Sequence, residues 1–149
     1  MALGSNLGDR LHHLQHAIRL LHAPPRLGVR ALSTIVETEP LGDVPQDRYL
    51  NCVVELQTSL DPHALLRLLK QLETDLGRQP NAVRWGPRVI DLDLLLYGDT
   101  AITTPELTIP HPEMHRRRFV LEPLVQLAPA ITHPVLRQTA AALLAALPP

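Results

Sequence analysis

Cysteine, lysine and aromatic residues are scarce in this 149-residue sequence, and it has no long apolar run. The single cysteine, Cys52, cannot form a disulfide within the chain, and the N-terminus has neither the basic start nor the apolar stretch of a secretory signal. No run of about 18 apolar residues suggests a membrane span. These absences lead us to expect a cytoplasmic protein that does not associate with membranes.

An excess of charge of one sign is also absent. The formal net charge is -1, which argues against general nucleic-acid binding. Arginines nevertheless concentrate in two short segments, residues 78–88 and 116–118. We therefore expect local recognition of anionic small molecules. The length fits a single domain over residues 1–149, and a monomer is expected.

Apolar residues at helical spacing predict several helices. The stripe of the first helix is Leu7, Leu11, Leu14, Ile18 and Leu21, and Pro24-Pro25 should end it. The second helix should begin at Asp61-Pro62, an N-cap acceptor followed by proline at the first helical position, and end at Gly77. Further helical segments are expected over residues 113–127, where Pro123 should kink or divide the helix, and over residues 134–147.

Alternating and β-rich segments predict strands between these helices. The expected strands cover residues 29–37, 49–57 and 89–97, with a short return strand near 100–104. Pro- and Gly-containing loops over residues 38–48 and 77–88 are expected to close over a ligand. This order of elements predicts an α+β fold, a ferredoxin-like sandwich in which helices pack on the faces of an antiparallel sheet.

The segment Ile90-Asp91-Leu92-Asp93-Leu94 contains a pair of carboxylates on a predicted strand. A period of two places Asp91 and Asp93 on one face, while the leucines face the core. Two neighbouring carboxylates repel each other unless a cation neutralises them, and hard oxygen ligands suit Mg²⁺ with substrate phosphates completing its shell. The alternative interpretation is a polar strand face exposed to water.

The sequence just upstream favours the functional interpretation. Arg84-Trp85-Gly86-Pro87-Arg88 places two fork-shaped cations and an indole beside the carboxylates, a combination that suits a polyphosphate with metal ions. Taken alone, the tryptophan could belong to the core and the arginines to a solvated loop.

Six blocks of the sequence resemble the 6-hydroxymethyl-7,8-dihydropterin pyrophosphokinase family, in the order found there. They are Leu3-Gly4-Ser5-Asn6-Leu7, Glu39-Pro40-Leu41-Gly42, Tyr49-Leu50-Asn51, Arg84-Trp85-Gly86-Pro87-Arg88, Asp91-Leu92-Asp93 and Pro110-His111-Pro112. The resemblance runs from Ala2 to about Pro129. It implies transfer of pyrophosphate from ATP to the hydroxymethyl group of the dihydropterin, with release of AMP, in folate biosynthesis.

The resemblance also implies roles for individual residues at the nucleotide. Asp91 and Asp93 would hold two Mg²⁺ ions, and Arg78 and Arg88 would act with them in catalysis. The residues implied in ATP binding are Glu73, Trp85, Arg88, Leu94, Thr108, His111 and Arg117. Simpler alternatives exist for three of these residues: an exposed helix position for Glu73, a structural histidine at His111, and a solvated helix end for Arg117.

For the pterin, the resemblance implies two aromatic walls and a polar edge. The residues concerned are Thr38, Pro40, Leu41, Tyr49, Asn51 and Phe119. Stacking on Tyr49 and Phe119 suits a flat heterocycle, and Asn51 offers a donor and an acceptor on the same strand face as Tyr49. Core packing is the alternative for Phe119.

The sequence departs from the pattern of the family at a few positions. Only three residues precede Gly4, where family members usually carry a complete strand, so the first strand is expected to be short. Pro80, Glu106 and Pro112 replace residues that contact the nucleotide in some members. Two other function classes are alternatives: a metal-dependent nuclease or phosphohydrolase, which needs more acidic or histidine ligands, and an RNA-binding module, which needs surface aromatics on its strands.

Overall fold

A ten-residue strand, Tyr49–Thr58, is the longest strand of the sheet in this computed structural model, which describes residues 1–80 and 83–149. The strands in chain order are β1 Ala2–Ser5, β2 Leu27–Leu32, β3 Val36–Thr38, β4 Tyr49–Thr58, β5 Asp91–Asp93, β6 Ile102–Thr103 and β7 Thr108–Ile109. The helices are α1 Arg10–Leu21, α2 Pro62–Asp75, α3 Arg118–Leu127 and α4 Ala140–Ala145, with a short 3-10 helix at Met114–Arg116.

The main sheet is antiparallel, with the strand order β2-β4-β1-β5. The short strand β3 pairs with the N-terminal half of β4, on the edge opposite β1. β1 lies between β4 and β5, and its residues Ala2 to Gly4 face Asp93 to Asp91. The strands β6 and β7 form a separate two-stranded sheet.

Helices cover both faces of the main sheet, which confirms the predicted α+β sandwich. The side chains of Cys52 and Val54 pack with α1 and α2 on one face. Between them Val53 points to the other face and packs with α3 and α4. The alternation of a β-strand therefore divides the core into two apolar layers. Among the described residues, no helix combines the length and the apolar character needed to cross a membrane.

The second predicted helix is confirmed at both ends. The side chain of Asp61 accepts a hydrogen bond of 2.9 Å from the N–H of Ala64, and Pro62 occupies the first turn. Gly77, just beyond the helix, adopts a φ of 104°, which a residue with a Cβ rarely adopts. The helix end therefore depends on glycine.

We expect the Asp61 cap to contribute about 1 kcal/mol to stability, since an N-cap acceptor removed from a helix typically costs that much. Asp61→Ala should lower the melting temperature, and Asp61→Ser should lower it far less because serine can also accept the hydrogen bond. Thermal unfolding of both variants tests this. Equal melting temperatures for the alanine and serine variants would contradict it.

Several predicted boundaries are wrong. The first helix begins at Arg10 with Asp9 as its cap, so Leu7 lies outside it and Leu11 is exposed. The strand predicted over residues 29–37 is divided at Ser33, whose hydroxyl accepts a hydrogen bond from the N–H of Val53 and interrupts the ladder. The predicted loop over residues 77–88 contains residues 81 and 82, which lie outside the described part of the chain.

The C-terminal half of the chain differs more from the predicted elements. The strand predicted over residues 89–97 is reduced to β5, because beyond Asp93 the chain leaves β1 and the Leu95 carbonyl accepts from His111 instead. The predicted return strand pairs with β7. The helix over residues 113–127 divides at Arg117, whose backbone is extended, and Pro123 lies inside α3. The final helix covers only Ala140–Ala145, with Thr139 as its cap.

Candidate active site

A cavity of about 320 Å³ lies on the sheet face that also carries α3. Alternating residues of three neighbouring strands form its floor: Gly4 of β1, Asn51 of β4, and Asp91 and Asp93 of β5. The start of α3 and the loops 38–48 and 83–88 form its walls. The sheet thus brings chemically active side chains from distant parts of the sequence to one place.

Asp91 and Asp93 lie on the same face of β5 and line this cavity, as the period of two predicts. Leu92 between them is buried in the opposite layer of the core. Burial and the neighbouring charge of Asp93 raise the pKa of Asp91 to about 6, against the opposing effect of Arg78. The pair is therefore electrostatically unfavourable by itself, which is the environment that a bound cation relieves.

The carboxylate pair has few other ligands around it. In the part of the chain that the structure describes, no three residues of the types His, Cys, Asp and Glu cluster in a way that could hold a metal ion. A cation held by Asp91 and Asp93 would need further oxygen ligands from water or from a phosphate, as Mg²⁺ commonly has.

Glu73 is a buried carboxylate of α2 that contacts two parts of the site, β5 and Arg78. It is 2% exposed, it accepts a hydrogen bond of 2.8 Å from the N–H of Leu92, and it forms an ion pair of 2.5 Å with Arg78. Arg78 in turn lies 3.1 Å from the Asp91 carboxylate. A second cation, Lys70, lies 3.2 Å from Glu73 at the surface. Glu73 therefore holds both β5 and Arg78 in position without lining the cavity.

Asn6 connects the strand β1 to both loops, a role that sequence reasoning did not assign. It is buried, and its side chain accepts a hydrogen bond of 2.8 Å from the N–H of Arg88. Its amide donates to the Gln46 side chain and to the Asp47 carbonyl, both at 2.9 Å. Its presence in the Leu3-Gly4-Ser5-Asn6-Leu7 block was the available signal.

The two loops contact each other above the cavity. Gln46 donates to the Trp85 carbonyl at 2.5 Å, and the Tyr49 hydroxyl donates to the Gly86 carbonyl at 3.3 Å. The Arg88 guanidinium donates to loop carbonyls, among them that of Val83 at 2.8 Å. Arg88 thus stabilises its own loop by hydrogen bonds and also lines the cavity. Whether the loops close further over a ligand stays a prediction.

Arg117 stands between two aromatic rings. Its guanidinium carbon lies 5.9 Å from the centroid of Trp85 and 5.9 Å from that of Phe119. Arg84 lies over the same tryptophan at 5.3 Å. These distances suit cation–π attraction, so Arg117 is part of the cavity wall and is not simply a solvated helix end. Phe119 both lines the cavity and packs on the core beneath α3.

The polar edge of the cavity is formed by Asn51 and Thr38, whose side chains share a hydrogen bond of 2.6 Å. Tyr49 lies beside them, and burial together with the charge of Asp91 raises its pKa to about 12, so its phenol is protonated at neutral pH. His111 also lines the cavity, and burial lowers its pKa. A neutral imidazole is therefore expected at neutral pH.

The structure brings most, but not all, of the predicted site residues together. The predicted residues that line the cavity are Thr38, Leu41, Tyr49, Asn51, Arg78, Trp85, Arg88, Asp91, Asp93, His111, Arg117 and Phe119. Pro40, Glu73, Leu94 and Thr108 are not among its lining residues. Leu94 is buried in the core layer under α1 and α2, and Thr108 lies exposed in β7. Lining residues without a predicted ligand role include Gly4, Glu39 and Leu95.

Comparison with known proteins identifies the family. The sequence model of the 7,8-dihydro-6-hydroxymethylpterin-pyrophosphokinase (HPPK) family matches residues 1–129. The chain belongs to the HPPK family. It is 48% identical over 127 residues to the 2-amino-4-hydroxy-6-hydroxymethyldihydropteridine pyrophosphokinase of Bacillus subtilis, covering 85% of this chain and 75% of that protein. The resemblance inferred from the sequence blocks is thereby confirmed.

Two further relatives extend the comparison. The pyrophosphokinase of the same name from Aquifex aeolicus is 39% identical over 138 residues, covering 93% of this chain and 84% of that protein. The folate synthesis bifunctional protein of Arabidopsis thaliana is 43% identical over 127 residues, but the match covers only 26% of its length. The HPPK chain described here thus corresponds to one part of that larger protein.

The family match stops at residue 129, before α4. Ala140 and Leu143 of α4 nevertheless pack in the same core layer as Val120 and Leu121 of α3. The segment beyond the HPPK match therefore supports the helix whose first residues form a wall of the cavity.

Proposed function

We propose that this chain transfers pyrophosphate from ATP to the hydroxymethyl group of 6-hydroxymethyl-7,8-dihydropterin, releases AMP, and does so as a cytoplasmic enzyme of folate biosynthesis. The observation that carries the proposal is the composition of a single cavity. Paired carboxylates, several arginines and an aromatic pocket with a polar edge all line it. These are the groups that a polyphosphate and a flat heterocycle require side by side.

The pterin is placed at the end of the cavity formed by Tyr49, Asn51 and Phe119. A flat ring gains from stacking against an aromatic wall, and the Asn51 amide can pair with the amide-like edge of the pterin. The hydrogen bond from Asn51 to Thr38 fixes the orientation of that amide. Recognition by a buried polar side chain gives selectivity because an analogue lacking the matching groups would leave it unpaired.

The phosphates of ATP are placed against Asp91, Asp93 and the surrounding arginines. Asp91 and Asp93 fit Mg²⁺, because both carboxylates face the cavity and their proximity raises the pKa of Asp91. When bound there, two Mg²⁺ ions would neutralise phosphate charge and favour alignment of the reacting groups. Arg78, held by Glu73, and Arg88 both line the cavity and are the cations proposed to bind phosphate oxygens, for which Arg88 would exchange hydrogen bonds to its own loop.

The proposed reaction is a direct displacement. The hydroxymethyl oxygen forms a bond to the β-phosphorus of ATP, the bond from that phosphorus to the oxygen bridging it to the α-phosphate breaks, and AMP leaves with the electron pair. The proton of the hydroxyl group is released. Positioning and electrostatic stabilisation by arginines supply the catalysis, so no covalent intermediate with the protein is needed.

The proposal is tested by measuring AMP release from ATP and Mg²⁺ with and without 6-hydroxymethyl-7,8-dihydropterin. We expect AMP only when the pterin is present, in amounts equal to the pyrophosphorylated pterin. Omission of Mg²⁺ should abolish the reaction. Hydrolysis of ATP at the same rate with and without pterin would contradict the proposal and would favour a phosphohydrolase.

Gly4 offers a specific test of the pterin end. A Cβ added at Gly4 would lie 2.8 Å from Oδ1 of Asn51, too close for the side chain to keep its position. Gly4→Ala should therefore raise the KM for the pterin about tenfold or more while changing the KM for ATP much less. Gly28→Ala is the matched control, because a Cβ at Gly28 in β2 meets nothing within 4 Å. Equal effects of the two substitutions on the pterin KM would contradict the assignment.

A further inference from the structure

Two histidines of α1, His12 and His16, lie one helical turn apart on the side of the helix that faces solvent. The opposite side of α1 packs in the core through Leu14, Ala17 and Leu21. His12 is exposed and His16 is half-buried. α1 covers the face of the main sheet opposite the cavity, and neither histidine lines that cavity. The pair is therefore separate from the candidate active site.

The distance between the two imidazole rings suits a shared metal ion. Their centroids lie 5.8 Å apart, and the ring planes are inclined by 49°. A Zn²⁺ ion bonded at about 2.1 Å to a ring nitrogen lies roughly 3.2 Å from the centroid of that ring. Tetrahedral coordination by two imidazoles therefore places their centroids roughly 5 Å apart. A small rotation of the exposed His12 side chain brings the rings to that distance.

The ring nitrogens of both residues are available to a ligand. A ring nitrogen already takes part in a hydrogen bond in four other histidines, which are His22, His63, His111 and His133. Within residues 1–80 and 83–149, the rings of His12 and His16 take part in none, and His12 donates to the Asp9 side chain only through its backbone N–H. A metal ion would thus displace no hydrogen bond of the folded protein.

A third histidine of this helix, His13, points in another direction. Its ring lies 6.0 Å from that of His12, so distance alone does not separate it from the pair. A Cβ added at Gly8, however, would lie 3.3 Å from Nε2 of His13, so the ring leans back towards the turn before the helix. Successive residues of a helix do not face each other, whereas residues four apart do. His13 is therefore a matched control for the pair.

The chemistry of the two rings determines which metal ions would bind. Imidazole nitrogen suits Zn²⁺, Cu²⁺ and Ni²⁺, whereas Mg²⁺ prefers the oxygen ligands that Asp91 and Asp93 offer. Two histidines at positions i and i+4 of a helix are also how some zinc enzymes present two of their ligands. Asp9 lies one turn before His12 and Arg19 one turn after His16, so the flanking charges have opposite signs.

We propose that His12 and His16 form a surface site for a divalent transition-metal ion such as Zn²⁺, coordinated by one nitrogen of each ring and completed by water. The ion joins successive turns of α1. An unfolded chain does not hold the two rings at this spacing, so binding favours the folded state. The proposal does not depend on the proposed enzymatic activity.

Titration calorimetry of the full chain with Zn²⁺ at neutral pH tests the proposal. The variants are His12→Gln, His16→Gln and, as the control, His13→Gln, since glutamine removes the imidazole and remains a good helix former. We expect each of the first two to weaken Zn²⁺ binding about tenfold or more, and His13→Gln to change it less than about twofold. Zn²⁺ affinity in His12→Gln and His16→Gln equal to that of the unmodified chain, or an equal loss in His13→Gln, would overturn the proposal.

Thermal unfolding gives a second readout of the same site. Zn²⁺ at about 100 µM should raise the melting temperature of the unmodified chain by about 3 °C or more, and the same concentration of Mg²⁺ should not. Asp93→Asn should keep this shift, which excludes the carboxylate pair as its origin. His16→Gln should lose it. A shift that persisted in His16→Gln and disappeared in Asp93→Asn would place the Zn²⁺ in the cavity and contradict the proposal.

Discussion

Asp93→Asn should reduce pterin-dependent AMP release by about a thousandfold or more, while making the metal-free protein more stable. The loss of activity is expected because the pair of carboxylates is the proposed Mg²⁺ site, and weakening it removes several kcal/mol of transition-state stabilisation. The gain in stability is expected because Asp93 is one of the charges that disfavour ionised Asp91. Steady-state assays and thermal unfolding in EDTA measure the two effects.

The matched control is Asp99→Asn, in the exposed turn after β5. This substitution makes the same change of charge away from the cavity, so it should leave both AMP release and stability close to those of the unmodified chain. If Asp93→Asn retained activity within tenfold, the metal-site assignment would be wrong. If both variants changed stability equally, net charge and not local repulsion would be the cause.

The raised pKa of Asp91 gives this prediction a pH dependence. Its pKa is about 6 in the folded chain, against 3.8 for an ordinary aspartate. Between these two values the folded state retains a proton that the unfolded state has released, so the stability of the metal-free protein falls as pH rises through this window. Asp93→Asn should reduce the slope. Between pH 4 and pH 6 in EDTA the melting temperature of the unmodified chain should fall relative to that of Asp93→Asn, and a constant difference between the two would contradict the sign.

Local patterns in the sequence were sufficient to predict how the two carboxylates at the centre of the site are placed. The period of two in Asp91-Leu92-Asp93 places both carboxylates on one face in any strand, and Leu92 fixes which face by entering the core. Similarly, Asp61-Pro62 specifies the start of α2 without help from the rest of the chain. These features depend on neighbours within a few residues, which a sequence displays directly.

Features that depend on distant partners could not be predicted in this way. β5 ends at Asp93 because the chain beyond it leaves β1 and the Leu95 carbonyl accepts a hydrogen bond from the N–H of His111. The strand over residues 29–37 divides because the Ser33 hydroxyl reaches a main-chain group twenty residues away in the sequence. Leu94 and Thr108 were assigned to the nucleotide by resemblance alone, and neither lines the cavity, so their roles stay predictions. Conversely, the caps Asp9 and Thr139 were visible signals that the periodicity of the apolar residues obscured.

The role of Glu73 could be predicted only in part from the sequence. A charge on the apolar side of α2 indicated that a partner must exist, and the structure supplies Arg78, Lys70 and the N–H of Leu92. The sequence could not show which of these matters, because their distances depend on how α2 packs against β5. The partners differ in burial, so their energies are expected to differ as well.

Glu73→Gln should destabilise the protein by about 2 kcal/mol, because the change removes the buried partner of Arg78 and leaves only Asp91 beside the guanidinium, while preserving an acceptor for Leu92. Lys70→Met should cost less than about 0.5 kcal/mol, because Lys70 is largely exposed and its ion pair is screened by water. Urea unfolding of the two variants measures the difference. Equal costs would show that burial does not distinguish the two ion pairs.

The activity of the Glu73→Gln variant separates a positioning role from a purely structural one. If Glu73 acts by orienting Arg78 towards phosphate, the fully folded variant should lose at least about tenfold in kcat, since a misplaced catalytic cation acts mainly on the transition state. Arg78→Met should lose activity as well, and the double variant should lose little beyond the worse of the two single variants. Additive losses would mean that the two residues act independently, and an unchanged kcat in Glu73→Gln would restrict Glu73 to stabilising the packing of α2 on β5.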